Sequence, residues 1–215
     1  IVLFLPVFCP TIGAHLRALQ VIKVLHRINL LDELKYVEKS FGVEVDIHAY
    51  GDRLVVHHNA FSAGVDLHKW LSICDNRLVI FNIKEEGIES RVHNMAIKAG
   101  IKDFFLLDLS FPALIKMSRK GVSRVAIRVS EYESINRALM LQSQIDWVWL
   151  DCFNGFPLTE KESYLLSSSC LKICLVSPEL HGDPRGKSDI YHFQEKIQAF
   201  NFRVDAVCTK FPELW

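Results

Sequence analysis

Residues 77–110 read RLVIFNIKEEGIESRVHNMAIKAGIKDFFLLDLS and contain one full structural period of the chain. Residues 77–84 are a short β-branched and aromatic run, and residues 85–99 place apolar side chains three and four apart, as one face of a helix requires. Gly100 follows where a helix ends on a left-handed residue, and residues 103–110 are again strand-like. A strand, a helix and a second strand in that order imply a parallel pair joined by a crossover.

The same period repeats in both directions. Strand patterns occupy residues 21–28, 43–49, 77–84, 103–110, 124–130, 147–152, 172–177 and 206–210. Helical patterns lie between them at 31–40, 67–73, 85–99, 112–119, 133–141, 159–166 and 190–200. Thr159 and Glu162 have capping-box spacing, and Pro112 sits in the first turn of its helix. Eight strands and seven intervening helices predict an α/β fold of a single domain, the (β/α)8 or TIM barrel, somewhat shorter than typical. An open doubly wound sheet is disfavoured, because Ile28-Asn29-Leu30 after the first strand is not a glycine-rich phosphate turn. A further alternating stretch, residues 53–58, follows the turn Tyr50-Gly51-Asp52 and reads as a hairpin that lifts His58 over the barrel mouth.

Composition narrows the function classes. The 215 residues are half apolar, and 25 basic side chains balance 25 acidic ones, which excludes a disordered chain and a nucleic-acid-type basic excess. The six cysteines form no CxxC pair, and Cys152, Cys174 and Cys208 lie in apolar runs. They read as reduced core residues, so a reducing compartment, the cytoplasm, is expected. Cys170 and Cys174 are not taken as metal ligands, because residues 173–176 read as strand. Residues 1–20 are expected to be an apolar leader or extra helix ahead of a domain spanning 21–215; the apolar run 1–8 is too short to span a bilayer, and no other stretch suits a span.

Strand alternation sorts the polar residues. Glu44 and Asp46 share one face, while Val43, Val45 and Ile47 share the other and should meet the helices. By the same parity Asn82 and Lys84 go with Ile80, Asp108 with Leu106, Arg128 with Ala126, and Asp151 with Trp147 and Trp149. Polar groups therefore gather at the carboxyl ends of inward faces, the end that carries barrel active sites. Two carboxylates on one inward face are costly unless something cationic completes them, and Mg²⁺ or Ca²⁺ is the simplest completion.

In order, the motifs are Val24-Leu25-His26-Arg27, Gly42-Val43-Glu44-Val45-Asp46, Leu54-Val55-Val56-His57-His58 and Asn82-Ile83-Lys84, with a closing Val204-Asp205-Ala206-Val207-Cys208-Thr209-Lys210. They resemble the glycerophosphodiester phosphodiesterase family, within the wider group of barrel phosphodiesterases that includes phosphatidylinositol-specific phospholipase C. The resemblance covers about residues 21–210. It implies His26 and His58 as acid and base, Glu44, Asp46 and Asn82 as ligands of a divalent cation, and Arg27 and Lys84 as phosphate contacts. It also implies a small-molecule or lipid-derived phosphodiester as substrate. Parity lets only one of His57 and His58 face the site, and the motif selects His58. Arg128, Asp151, Glu179 and Lys210, near the ends of later strands, are candidate substrate contacts.

The chain departs from the family pattern at four points. Ile28 replaces the glycine that usually follows His-Arg, the spacing from His26 to Glu44 is shorter, Asn59 replaces an aspartate, and Asn82 stands where a third acidic ligand is expected. Asn82 can ligate through its amide oxygen but brings one negative charge fewer. The alternative expectation is therefore a catalytically impaired barrel that binds phosphate or phosphodiesters. A third is a sugar-processing enzyme using two of Glu44, Asp46, Glu131, Asp151 and Glu179 as a carboxylate pair. His48, His68, His93, His181 and His192 have no partner at ligand spacing and read as solvated or core-edge residues, and loop 178–188 reads as a lid.

Overall fold

The computed structural model describes residues 21–75, 78–182 and 186–215. The leader expected at 1–20, the first residue of the strand expected at 77–84 and the middle of the loop expected as a lid lie outside the described residues. Strand β1 is Ile22–Leu25 and leads to helix α1, Leu31–Tyr36. Next come β2 (Gly42–Tyr50), β3 (Arg53–Val56), β4 (Val65–Asp66) and α2 (Leu67–Leu71). Four strand–helix units follow: β5 (Val79–Ile83) with α3 (Glu89–Lys98), β6 (Phe104–Leu107) with α4 (Phe111–Arg119), β7 (Ala126–Val129) with α5 (Ile135–Leu141), and β8 (Trp147–Leu150) with α6 (Glu160–Ser167). The chain ends with β9 (Lys172–Val176), a one-turn helix Pro178–His181, α7 (Lys187–Ala199), β10 (Ala206–Thr209) and a last turn Pro212–Leu214.

Eight of these strands form a parallel ring in the order β1, β2, β5, β6, β7, β8, β9, β10 and back to β1. Its weakest seam is between β6 and β7, where the ring closes through one parallel bridge, Leu106 to Val125, and the Leu106 N–H donates to Arg124 O at 3.0 Å. All eight expected strands and all seven expected helices are present. The extra stretch is also as expected: β2 and β3 pair antiparallel from Ile47–Val56 to Tyr50–Arg53, and β4 adds to the outside of β3.

Register shows which side chains fill the barrel. Glu44 lies beside Ile80 and Asp46 beside Asn82, while Val43, Val45 and Ile47 point outward to a buried layer under the helices. On the far side Ala126, Arg128, Trp147, Trp149 and Cys174 are in matching register. Phe105 stacks on Trp147 across the interior, with centroids 4.7 Å apart. Strand β6 corrects the expected parity of Asp108. Phe105 and Leu107 are the residues in register with Ile80 and Asn82, so Leu106 faces out. Asp108 has φ of 61°, and this left-handed step past the strand end turns its side chain back to Arg128. Gly42 is required for packing at the barrel's closed end, since a Cβ there would meet Val24 Cγ2 at 2.8 Å.

Helix ends follow local chemistry. Thr159 Oγ1 accepts from the Glu162 N–H at 3.3 Å while the Glu162 carboxylate accepts from the Thr159 N–H at 2.9 Å, the reciprocal cap expected from their spacing. Ser110 caps α4. Of the described cysteines Cys74, Cys152, Cys174 and Cys208 are buried, whereas Cys170 is exposed, contrary to its expected core position. Residue 170 lies in the turn that precedes β9, outside the strand's buried alternation. No helix among the described residues is long and apolar enough to cross a membrane.

Candidate active site

The end of β1 and the middle of β2 build the first centre. Past Leu25 the chain turns through Arg27, whose φ is 60°, and this aims the Arg27 backbone N–H at Glu44 Oε2, 2.8 Å away. Two residues on, Asn29 clamps Asp46: its Nδ2 donates to Asp46 Oδ2 at 2.9 Å, and its Oδ1 accepts the Asp46 backbone N–H at 3.0 Å. From β5, Asn82 Nδ2 donates to Glu44 Oε1 at 3.0 Å and Lys84 Nζ lies 2.9 Å from Asp46 Oδ1. From the β3 hairpin, His58 Nδ1 lies 3.1 Å from Asp46 Oδ2. His26 Nε2 is 3.9 Å from Glu44 Oε2, and the Arg27 Nε is 3.9 Å from Asp46 Oδ2. All seven residues expected for catalysis, cation and phosphate thus converge on the Glu44–Asp46 pair.

Electrostatics divides the pair. Burial, helped by the charge of Asp46, pushes the Glu44 carboxyl up to about 7 against the opposing hydrogen bonds of Asn82 and Arg27. Burial acts the same way on Asp46, but the Asn29 hydrogen bond, Lys84 and His58 together hold it below the usual carboxylate range. His26 is pushed down to about 4, first by burial and then by Arg27 and Lys210, so its imidazole is neutral at neutral pH. His26 Nδ1 and Asn82 Oδ1 are both buried with no hydrogen-bond partner.

The donor set fits a hard divalent cation. Glu44, Asp46 and Asn82 present only oxygen donors, and the unpartnered Asn82 amide oxygen is a buried acceptor beside two carboxylates.

Across the ring a second polar group rises from β7 and β8. Arg128 bridges Asp108 and Asp151, with its Nη1 2.8 Å from Asp151 Oδ2. Asp151 Oδ1 accepts the Cys152 N–H at 3.0 Å and lies 2.6 Å from His181 Nε2. His181 was expected to have no partner at ligand spacing and to sit in solvent or at the core edge; it is half-buried, and the turn after β9 brings it to a carboxylate distant in sequence, which no local spacing reveals. Donor atoms of Asp151, Cys152 and His181 lie within 4.8 Å of one another. Burial, with Glu44 and Asp151 among the charges adding to it, pushes the Cys208 thiol well above its ordinary value, so both carboxylates act on one thiol inside the barrel.

The other candidate contacts separate. Glu179 is buried and turned to the strand ends: it accepts from the Ser177 hydroxyl, the Thr209 hydroxyl at 2.6 Å and the Lys210 N–H at 2.9 Å. Lys210 is exposed at the rim, where its charge acts on His26. Glu131 accepts three successive backbone N–H groups of Phe153, Asn154 and Gly155 and joins the loops after β7 and β8. His48 is buried, edge-on to His57 at 6.2 Å. The sequence reading passed over Asn29; its one local signal is a polar residue in the turn after a strand that ends in His-Arg.

No family profile matches the chain, and no curated protein does either. Solved structures do. A glycerophosphodiester phosphodiesterase from Agrobacterium tumefaciens superposes with a TM-score of 0.60 at 13% identity, covering 90% of this chain and 97% of that one. A glycerophosphoryl diester phosphodiesterase from Parabacteroides distasonis gives 0.59 at 10% identity, covering 90% and 84%. A candidate glycerophosphodiester phosphodiesterase from Galdieria sulphuraria gives 0.62 at 11% identity, covering 90% and 95%. The chain therefore has the TIM-barrel fold of the glycerophosphodiester phosphodiesterases over nearly the whole of its described length.

Proposed function

We propose that the chain is a divergent member of the glycerophosphodiester phosphodiesterase family and hydrolyses a small or lipid-derived glycerophosphodiester with a divalent cation. One observation carries the reading: two imidazoles, two carboxylates, an amide, a lysine and an arginine from four separate segments meet at the carboxyl end of the barrel.

Arg27 and Lys84 receive the phosphate and offset its charge. His26, neutral because of burial and nearby cations, is the general base that takes the proton of the attacking hydroxyl, from water or from the substrate's own alcohol. His58 has its Nδ1 engaged by Asp46, so its Nε2 is the nitrogen that gives a proton to the departing oxygen. Asn29 holds Asp46, and through it His58 and Lys84, in one arrangement. A cation held by Glu44, Asp46 and Asn82, Mg²⁺ or Ca²⁺ by its oxygen donors, supplies charge neutralisation at the phosphoryl oxygens.

The test is a screen of glycerophosphodiesters and cyclic phosphates with wild type, His26→Ala and His58→Ala, with Mg²⁺, Ca²⁺ or EDTA. Turnover that needs cation and both histidines supports the reading. Turnover surviving both substitutions removes the acid and base roles, and absent turnover with no heat of cation binding removes the enzyme. A second reading, a binding barrel without hydrolysis, is favoured by Asn82 donating to Glu44 in place of an acidic ligand. It predicts phosphodiester binding by calorimetry without product.

A further inference from the structure

Across the barrel mouth from Glu44 and Asp46, we propose a second metal centre, a zinc site made by Asp151, Cys152 and His181 that pins the turn after β9 to the end of β8. It rests on these residues alone and is independent of the phosphodiesterase reading.

The placement follows from the ring. Strand β8 stands four strands from β2 in either direction, so its end faces the Glu44–Asp46 pair across the mouth. Asp151 and Cys152 come directly after Leu150, the last residue of β8, where strand alternation has ended and neighbouring side chains can serve one point. His181 closes the one-turn helix Pro178–His181 that follows β9. One donor atom from each of the three lies within 4.8 Å of the other two.

The contacts leave this cluster one bond short. His181 Nε2 lies 2.6 Å from Asp151 Oδ1, yet it is a buried atom with no hydrogen-bond partner among the described residues. At that distance what fails is direction: the ring nitrogen points past the oxygen and not onto it. A cation ahead of both atoms satisfies them together. Zinc takes the place of any proton on Nε2, so no tautomer has to be set beforehand. Asp151 is already oriented for such a role, because the Cys152 N–H holds its Oδ1 at 3.0 Å and Arg128 Nη1 holds its Oδ2 at 2.8 Å. Outer partners of this kind fix a ligating carboxylate, and the Phe153 ring, with centroids 5.0 Å apart, packs on the imidazole.

Donor chemistry selects the metal. An imidazole, a thiolate and one carboxylate are zinc ligands, whereas Mg²⁺ and Ca²⁺ take oxygen, so the two sides of the mouth sort cations by type. Charge agrees: the negative charges of Asp108, Asp151 and the Cys152 thiolate balance Arg128 and a divalent ion. The movement required is small. Zinc bonds of about 2.0–2.3 Å set their ligand atoms about 3.3–3.5 Å apart, so Asp151 and His181 separate by about 0.7 Å. The Cys152 thiol leaves Val176 O, to which it donates at 3.3 Å, and gives its proton to solvent as the thiolate binds. His181 can follow because it sits at the rim with its side chain 21% exposed. Three protein ligands leave the fourth position to water.

The experiment strips the full chain with EDTA, returns it to excess Mg²⁺, and titrates it with Zn²⁺ by calorimetry and with Co²⁺ by absorption. Wild type should take up one zinc that Mg²⁺ does not displace, and its cobalt form should show a thiolate-to-cobalt charge-transfer band. Cys152→Ser should abolish the band. His181→Ala, at the rim, should keep the wild-type circular dichroism and weaken zinc binding about a hundredfold or more, beyond the about 10- to 100-fold that losing an outer partner costs. Glu44→Gln should leave both readouts unchanged, since it touches only the oxygen site. No zinc uptake in excess Mg²⁺, a band that survives Cys152→Ser, or zinc affinity that His181→Ala leaves intact overturns the assignment. If Cys152→Ser does not fold, the His181→Ala titration decides alone. Diester turnover is read separately, so failure of the zinc site leaves the phosphodiesterase reading standing.

Discussion

The two sides of the barrel mouth handle buried carboxylates in opposite ways. On the β1–β5 side Glu44 and Asp46 repel each other, Glu44 is pushed up to about 7, and His26 Nδ1 and Asn82 Oδ1 have no partner. On the β7–β10 side Asp151 and Glu179 stand apart, each with both oxygens accepting hydrogen bonds, and His181 Nε2 is the buried atom there with no hydrogen-bond partner among the described residues. A side where two carboxylates crowd each other beside two unpartnered buried atoms suits something cationic that arrives; a side where each carboxylate ties several backbone and side-chain donors together holds the frame.

The largest effect expected from this contrast is catalytic. His26→Ala or His58→Ala should lower kcat about 10²- to 10⁴-fold, the range for losing a general acid or base, while the circular dichroism and melting curve stay near wild type. A comparable loss of activity from Glu179→Ala without unfolding would break the division into two sides.

Stability should respond in the reverse order. Glu179→Ala strands two hydroxyls and the Lys210 N–H, at a cost of about 3 kcal/mol in urea unfolding. Glu44→Gln should instead stabilise the cation-free chain. Because the folded Glu44 carboxyl titrates near 7 against an ordinary 4.5, its favourable contribution is complete below pH 4.5 and is lost as pH rises through 7. The gain of Glu44→Gln over wild type, measured in EDTA, should therefore grow from near zero at pH 4.5 to on the order of 2 kcal/mol above pH 7. His26 acts with the other sign, since its depressed value costs stability as pH falls from 6.5 towards 4, but it is present in both proteins and cancels. An equal gain at both pH values would mean that Glu44 is not strained.

How much of this was legible depended on the range of the interaction. The period-2 alternation of β2 and β5 placed Glu44, Asp46, Asn82 and Lys84 on inward faces, because strand geometry acts between neighbours in sequence. It failed at Asp108, where a single left-handed residue past the strand end reversed the side chain. His181 and Asn29 were missed for another reason: one is separated from Asp151 by a helix and a strand, and the other meets Asp46 across 17 residues. The β6–β7 seam was also beyond reach, since two strand patterns do not state how many bonds join them.

The smallest predicted effect decides what the unmet capacity is for. Asn82→Asp supplies the third carboxylate and removes the amide hydrogen bond to Glu44, so in EDTA it should lower stability by crowding a third charge against Glu44 and Asp46. With Mg²⁺ or Ca²⁺ present the same charge becomes a ligand, and cation affinity by calorimetry should rise about tenfold, or about 1.4 kcal/mol. If turnover rises with affinity, Asn82 is what limits a working enzyme. If affinity rises while no diester is hydrolysed, the open side of the mouth binds phosphate without breaking it, and the contrast between the two sides is one of binding rather than catalysis.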